Sequence, residues 1–137
     1  MDEPITARAR EIAKKESEAL LERTPRSAEL FERAVRSMPL GVASSFQEND
    51  PYPIYVREGR GSRVWDVDGN EYVDFHNGFG TMAVGHAHPK VVEAVERAAR
   101  TGTHFAATTD TTVAFAEELC RRFELDTVRF TNSGTEA

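Results

Sequence analysis

Residues 127–137 read TVRFTNSGTEA, and this stretch decides the fold that the sequence predicts. Its first half is rich in β-forming residues and predicts a short strand, Thr127–Thr131. Ser133 and Glu136 have the spacing of a capping box, so a helix is expected to begin here. A strand that runs into a helix N-terminus is the repeating unit of α/β proteins, and ligands bind at that junction. The sequence therefore predicts an α/β fold with a binding site at this loop.

The loop at Ser133, Gly134 and Thr135 has the composition of a phosphate site. Free backbone N–H groups at a helix N-terminus attract anions. Gly134 allows the backbone to approach a phosphate closely, and the two hydroxyl side chains can donate further hydrogen bonds. On these residues alone, an ordinary helix cap explains the pattern equally well.

The N-terminal part of the chain is predicted to be helical. Residues 1–37 are rich in good helix formers, and opposite charges are mixed at short spacing. Pro25 separates two helices, with Thr24 as the expected N-cap of the second helix and Pro39 as its end. The first helix has only a thin apolar stripe, which indicates that it rests on another surface.

A small antiparallel sheet is predicted for residues 53–75. Its strands are Pro53–Arg57, Arg63–Asp66 and Glu71–Phe75. Asp68-Gly69 lies between the last two strands and is typical of a hairpin turn, because such a turn needs positive φ angles. Two further helices are expected at residues 89–101 and 110–123, where apolar residues recur on one helical face. They are expected to pack on a larger sheet.

Composition argues against several classes of function. The chain has 23 acidic and 17 basic residues and a net charge of −6. This sign argues against a nucleic-acid binder and against docking on anionic membranes. No apolar run approaches the ~20 residues of a membrane-spanning helix, and the charged start of the chain lacks the apolar segment of a secretory signal. Because the single cysteine, Cys120, cannot form an internal disulfide, a cytoplasmic location is expected.

Four segments of the chain carry a resemblance to a known family. In order, they are Leu40–Val42, Val64–Asp74, Gly85–Pro89 and Phe130–Ala137. Together they resemble the N-terminal part of a class III pyridoxal-phosphate-dependent aminotransferase, in the branch that contains glutamate-1-semialdehyde aminomutase. The resemblance implies the aspartate-aminotransferase-like fold (fold type I), pyridoxal 5′-phosphate as cofactor, and a homodimer with active sites at the subunit interface.

The same resemblance implies a division of the chain into three parts. Residues 1–37 correspond to an N-terminal helical segment. Residues 38–88 correspond to the β-hairpin region of the small domain together with the loop that lines the substrate entrance. Residues 89–137 correspond to the start of the large domain, which binds the cofactor.

Site residues follow from the resemblance by position. Ser133, Gly134 and Thr135 match the residues that hold the cofactor phosphate. Ser44 and Ser45 lie in the loop at the substrate entrance, and Phe79 falls where relatives place an aromatic ring near the substrate.

His86 and His88 fall in a turn that is structural in the family. A metal site is the alternative for this H-x-H pair, but the pair supplies only two ligands without a cysteine or carboxylate cluster beside it. We therefore predict no metal.

Two features depart from the family pattern. Relatives in the aminomutase branch carry an arginine in the entrance loop, where it meets the substrate carboxylate, whereas residues 43–47 here read ASSFQ. The family also forms its Schiff base through a lysine far downstream of the N-S-G-T-E-A segment. The lysines of this chain are Lys14, Lys15 and Lys90, none in a matching position. The catalytic lysine is therefore expected beyond Ala137, in a longer parent protein.

The predicted activity of that parent is the transfer of an amino group between an amino compound and a keto or aldehyde acceptor, through a lysine Schiff base. Two alternatives stay open. One is the internal amino shift of glutamate-1-semialdehyde 2,1-aminomutase, which the missing arginine disfavours. The other is a non-catalytic phosphate-binding fragment. The 137 residues alone are expected to be inactive.

Overall fold

The computed structural model describes residues 3–137, with side chains described from Thr6 onward. The chain divides into two compact units, and the boundary falls between Val92 and Glu93. The first unit contains two helices and a three-stranded sheet, and the second contains most of one helix, a further helix and the segment that follows it. Within the described residues, none of the helices has the length and apolar character needed to cross a membrane.

The first two helices are α1 (Glu3–Arg23) and α2 (Pro25–Ala34), and they confirm the predicted break at Pro25. Pro25 occupies the first turn of α2, where its missing N–H costs nothing. Thr24 stands at the N-cap position, but its side chain does not cap the helix. Its hydroxyl instead donates to the carbonyl of Leu20 at 2.6 Å and lies 3.1 Å from the hydroxyl of Tyr52. The expected capping role of the Thr24 side chain is therefore wrong.

The small antiparallel sheet is confirmed. It consists of β1 (Val56–Arg60), β2 (Arg63–Asp66) and β3 (Glu71–Val73), in the order β1-β2-β3. Both neighbouring pairs are antiparallel, and Val64 lies opposite Tyr72. The first strand begins three residues later than predicted. Its residues pair with β2 only from Val56 onward, and a strand exists only where a neighbour supplies its hydrogen bonds.

The turn between β2 and β3 is organised by the carboxylate of Asp66, which is only 1% exposed. One of its oxygens accepts from the backbone N–H groups of Asp68 (3.0 Å) and Asn70 (2.8 Å). The other accepts from the Asn70 amide (2.9 Å) and the Tyr72 hydroxyl (2.8 Å). Four donors thus satisfy a buried charge that would otherwise be costly.

This network changes the acidity of both partners. Burial alone raises the pKa of Asp66, but the hydrogen bonds from Asn70, Tyr72 and Asp68 outweigh burial and leave that pKa below its ordinary value. Burial, together with the hydrogen bond to the Asp66 carboxylate, raises the pKa of Tyr72 to about 12. Asp66 is therefore ionised and Tyr72 is protonated across the neutral pH range.

The same turn docks the two N-terminal helices on the sheet. The carboxylate of Asp68 accepts from the backbone N–H of Arg26 at 2.7 Å and from that of Ser27 at 3.0 Å. It also accepts from the Ser27 hydroxyl at 2.8 Å, while the Asn70 amide donates to the last carbonyl of α1, at Arg23, over 2.9 Å. A distant carboxylate thereby caps α2 and complements its positive end.

The second unit is built on α3 and α4. The first of these helices spans Pro89–Ala99 and crosses the boundary between the units, and α4 spans Asp110–Phe123. Both were expected from the sequence, and the bounds of α4 agree with the prediction. The hydroxyl of Thr109 accepts from the N–H of Thr112 at 3.2 Å and so caps α4.

The predicted strand Thr127–Thr131 does not form. These residues have no regular secondary structure, and within the described part of the chain no strand lies alongside them. The ring of Phe130 instead stacks on Phe115 of α4, with ring centroids 5.5 Å apart. Apolar contact with α4 therefore positions this segment, in place of the expected hydrogen bonds to a neighbouring strand.

Candidate functional site

Residues 43–47, for which the resemblance implies a place at the substrate entrance, form a single 3₁₀ turn over Ser45–Gln47, and we call them the entrance loop. Ser44 precedes the turn, and its backbone N–H donates to the side-chain oxygen of Gln47 at 3.2 Å. Ser44 and Ser45 are both exposed. The loop therefore presents two serines and the Gln47 amide to solvent, all of them neutral hydrogen-bonding groups.

Phe46, in the same turn, meets two rings from the segment after β3. Its ring centroid lies 4.8 Å from that of Phe79, with the rings inclined at 66°. His76 lies 4.2 Å from Phe79 and 6.1 Å from Phe46, and its ring is nearly parallel to that of Phe46. Edge-to-face and offset arrangements of this kind are the favourable ones for aromatic pairs. We call these three residues the aromatic cluster.

The aromatic cluster remains open to solvent although its rings touch. Phe46 is 56% exposed and Phe79 is 70% exposed. Residues 77–80 all have positive φ, including φ = 58° at Phe79, a conformation that costs a residue with a side chain about 1 kcal/mol or more. Strain of this kind persists where the surrounding structure imposes it, and it concentrates at functional sites.

Asp74 and His86 hold the ends of the segment that carries Phe79. One oxygen of the Asp74 carboxylate accepts from the backbone N–H groups of His76 and Asn77, each at 2.9 Å. The other lies 2.6 Å from Nε2 of His86. The hydrogen bond to His86, followed by that from Asn77, lowers the pKa of Asp74. The structural role that the resemblance implied for His86 is consistent with this geometry.

Backbone pairing fixes His86 against the sheet. Its N–H and carbonyl exchange hydrogen bonds with Gly61 at 2.8 and 2.9 Å. Its ring covers Gly59, where an added Cβ would come within 2.6 Å of the imidazole. The glycine is required because the ring occupies the space of a side chain. His88 contributes its carbonyl to the first turn of α3, while its buried Nδ1 has no hydrogen-bond partner among the described residues.

A groove of about 510 Å³ runs along the entrance loop. Ala43 and Gln47 line it from the loop, and Tyr55 and Val56 line it from the start of β1. The Tyr55 hydroxyl donates to the carbonyl of Gly41 at 2.9 Å and ties the two walls together. Every described residue that lines the groove is uncharged, so the groove offers a carboxylate no bidentate cationic partner.

The predicted phosphate-binding residues Ser133, Gly134 and Thr135 lie in the second unit, in an exposed turn. The expected helix and capping box do not form. Glu136 N–H donates to the backbone carbonyl of Ser133 at 3.1 Å, and the Glu136 carboxylate accepts from Asn132 N–H at 3.0 Å. Five residues supply about one turn, which is too short to overcome the cost of helix nucleation.

The turn leaves several backbone donors without a partner in the described part of the chain. Among the described residues, nothing accepts a hydrogen bond from the backbone N–H groups of Ser133, Gly134 and Thr135. A Cβ added at Gly134 would meet nothing within 4 Å. Three successive donors of this kind beside an open glycine are available to an anion.

The family is decided by a match to the model of the class-III aminotransferases, which covers residues 44–137. The chain belongs to this family. The match begins at the entrance loop and runs through the turn at Ser133–Thr135, so it includes all of the site residues that the resemblance implied. The fold-type-I resemblance stated from the sequence is confirmed.

Relatives within the class-III family include aminomutases and transaminases. Glutamate-1-semialdehyde 2,1-aminomutase of Methanopyrus kandleri is 45% identical over 114 residues, which are 82% of this chain and 26% of that protein. An omega-transaminase from Sphaerobacter thermophilus is 46% identical with a TM-score of 0.76, over 81% of this chain and 26% of that one. A transaminase with PLP bound is 49% identical with a TM-score of 0.78, over 82% and 27%. The chain thus spans about a quarter of the length of the curated relatives it matches.

Sequence reasoning missed two members of the aromatic cluster and the role of Asp68. The sequence places Phe46 in the entrance loop and His76 after β3, with no pattern that relates the two. Contact between them needs residues 30 positions apart, for which a single sequence offers no periodic signal. Asp68 was interpreted as a turn residue only, because its partners at Arg26 and Ser27 lie about 40 residues away.

Proposed function

We propose that this chain is the N-terminal part of a PLP-dependent class III aminotransferase, which transfers an amino group between an amino compound and a keto or aldehyde acceptor. In this proposal Ser133, Gly134 and Thr135 hold the cofactor phosphate, and Ser44, Ser45 and Phe79 line the substrate entrance. The observation that carries the proposal is the exposed turn at Gly134, with its three free backbone donors and open glycine.

When bound, pyridoxal phosphate supplies an electron sink for the carbanion formed at the substrate Cα. The residues of this chain would orient the cofactor by hydrogen bonds to its phosphate and shape the entrance for the substrate. The lysine that binds the cofactor is expected beyond residue 137. Lys14 and Lys15 lie on α1 and Lys90 lies in the first turn of α3, all of them exposed.

Two further features belong to the same proposal. A homodimer is expected because members of the family place active sites at a subunit interface. Its support in this chain is α1, where Ile12 and Leu21 are exposed apolar side chains. A cytoplasmic location is expected from the single cysteine and the charged N-terminus.

Glutamate-1-semialdehyde 2,1-aminomutase activity is the second candidate, because relatives of that name are 40–45% identical to this chain. We favour the aminotransferase because the entrance loop and its groove offer neutral groups where the aminomutase branch has an arginine. Efficient conversion of glutamate semialdehyde by the complete protein would reverse this preference.

The test of the cofactor site is Gly134→Val in the complete protein. Because the space around Gly134 is open, we expect the variant to fold normally. Its isopropyl group would occupy the position of the phosphate, so the affinity for pyridoxal phosphate should fall sharply, as measured by absorbance titration. The matched control is Ala114→Val, which adds the same kind of side chain at an exposed position of α4 in the same unit. Unchanged cofactor affinity in Gly134→Val would refute the assignment.

The remaining alternative is a phosphate-binding module without catalysis. The sequence of the parent gene distinguishes this module from the enzyme. A lysine and a pyridine-binding aspartate encoded in the next ~300 codons would support the enzyme. Their absence there, together with phosphate binding at Ser133–Thr135, would support the module.

A further inference from the structure

The segment between β3 and α3 contains a run of residues in the left-handed region. Residues 77–80 all have φ between 51° and 82°, and Gly80 N–H donates to the Asn77 carbonyl at 3.0 Å, as in a 3₁₀ turn. We call residues 77–80 the left-handed turn. Such a run is unfavourable for residues with a side chain, because Cβ approaches the following carbonyl oxygen. Asn77 and Phe79 therefore need contacts from outside the turn that hold them in this conformation.

The Asp74 carboxylate supplies such a contact at the start of the left-handed turn. One of its oxygens accepts from the backbone N–H groups of His76 and Asn77, each at 2.9 Å. The backbone N–H of Asp74 donates to the Ser62 carbonyl at 2.8 Å, between β1 and β2. The carboxylate can still rotate about its side-chain torsions, so it grips both N–H groups firmly only when its other oxygen is also fixed.

His86 fixes that second oxygen, with its Nε2 2.6 Å away. The hydrogen bond to His86 lowers the pKa of Asp74, so the carboxylate is ionised at neutral pH and Nε2 donates the proton. The anchor of His86 does not involve the left-handed turn. Its backbone pairs with Gly61, and its ring lies over Gly59. The β1–β2 hairpin thus holds the imidazole in place, and the imidazole orients the carboxylate.

We propose that His86 is a positioning residue for the substrate entrance. Its imidazole orients the Asp74 carboxylate, the carboxylate holds the left-handed turn, and the turn places the ring of Phe79. This inference rests on the proposed function, in which Phe79 lines the entrance. It goes beyond that function because it gives His86 and Asp74 a role in substrate binding that needs no contact with the substrate.

The test compares His86→Leu with His86→Gln in the complete protein. Both variants remove the ring that covers Gly59, so they share any loss of packing. Glutamine keeps an N–H donor near the position of Nε2, whereas leucine has none. His86→Leu should accelerate hydrogen exchange in residues 76–82 about 10- to 150-fold, the range for one hydrogen bond to a charged group. His86→Gln should stay within about five-fold of the wild type.

Exchange in residues 110–123, which form α4 in the second unit, should be unchanged in both variants and shows that each has folded. If His86→Leu accelerates exchange there too, His86→Asn takes its place. The asparagine amide is one methylene shorter than that of glutamine, so it does not reach the Asp74 carboxylate.

A second measurement links the left-handed turn to the substrate. KM and kcat are measured for alanine, glutamate and 1-phenylethylamine as amino donors of the cofactor-loaded protein. In His86→Leu the KM should rise about two- to ten-fold, in proportion to the fraction of molecules whose turn has relaxed. His86→Gln should restore the KM. The affinity for pyridoxal phosphate should be unchanged in both variants, because its proposed residues lie at 133–135, in the second unit.

Three results would overturn the inference and leave the proposed function intact. One is equal acceleration of exchange in the leucine and glutamine variants, which would mean that packing of the ring on Gly59 holds the segment. Another is wild-type exchange in His86→Leu. The third is faster exchange in that variant with an unchanged KM, which would separate Phe79 from donor binding. A wild-type protein that transaminates none of the donors would refute both the inference and the proposed function.

Discussion

Asp66→Asn tests whether the Asp66 carboxylate stabilises the turn between β2 and β3, because it replaces that buried carboxylate by a neutral group of the same shape. The amide oxygen of asparagine can still accept from the backbone N–H groups of Asp68 and Asn70. Its NH₂ group, however, would face the Asn70 amide and the Tyr72 hydroxyl, both of which donate to Asp66 in the structure. The hydroxyl can rotate and become an acceptor, but the amide nitrogen of Asn70 cannot.

The magnitude follows from counting these bonds. One hydrogen bond is lost outright, and the three that remain lose their charge. A hydrogen bond to a charged group contributes about 1.5–3 kcal/mol and a neutral one about 0.5–1.5 kcal/mol. After partial relaxation we expect a loss of about 2–3 kcal/mol. Since 1.4 kcal/mol is a factor of ten, the turn should open roughly 30- to 150-fold more often.

Hydrogen exchange followed by mass spectrometry measures this opening locally, in a peptide that covers residues 66–73. Backbone N–H groups in this peptide exchange only when the turn opens, so Asp66→Asn should accelerate their exchange by the same 30- to 150-fold. Asp126→Asn is the matched control, because Asp126 is exposed and lies in the second unit. Exchange within about three-fold of the wild-type rate would refute this account of the turn.

A pH series adds a second check with a defined sign. The pKa of Asp66 is lower in the folded protein than its ordinary value. Its stabilising contribution is therefore complete above about pH 4 and is lost as the pH falls through the lower, folded-state pKa. The difference between the wild type and Asp66→Asn, each normalised to unfolded peptide, should be constant near neutrality and shrink in acid.

Three further predictions concern the supports of the site. Asp68→Ala should destabilise the start of α2 by about 1–2 kcal/mol, seen as faster hydrogen exchange in residues 24–34 but not in α4. Gly85→Ala should lower the melting temperature more than Gly61→Ala: both need positive φ, but a Cβ at position 85 would lie 2.8 Å from the Gly61 backbone. Asp74→Asn should accelerate hydrogen exchange in residues 76–82, because a neutral amide holds the backbone N–H groups of His76 and Asn77 and the ring of His86 less strongly than the carboxylate does. Equal melting temperatures would contradict the second of these predictions, and unchanged exchange in residues 76–82 would contradict the third.

The helices and the hairpin could be predicted because their signals are local. The Pro25 break and the bounds of α4 at Asp110–Phe123 depend on residues within one or two turns of each end. Asp68-Gly69 marked the hairpin for the same reason, since a tight turn depends on the backbone freedom of adjacent residues. The order of the family motifs then indicated the fold without any contact being known.

Tertiary structure alone decided which groups those elements bring together. Asp68 caps a helix about 40 residues away, and Phe46 meets Phe79 across a sheet that lies between them in sequence. The strand and helix expected at residues 127–137 failed for the complementary reason. Their local pattern was present, but a strand needs a neighbour for its hydrogen bonds and a helix needs several turns to offset nucleation. Sequence determines local geometry through steric and hydrogen-bonding preferences, whereas contacts between distant residues depend on how the elements pack.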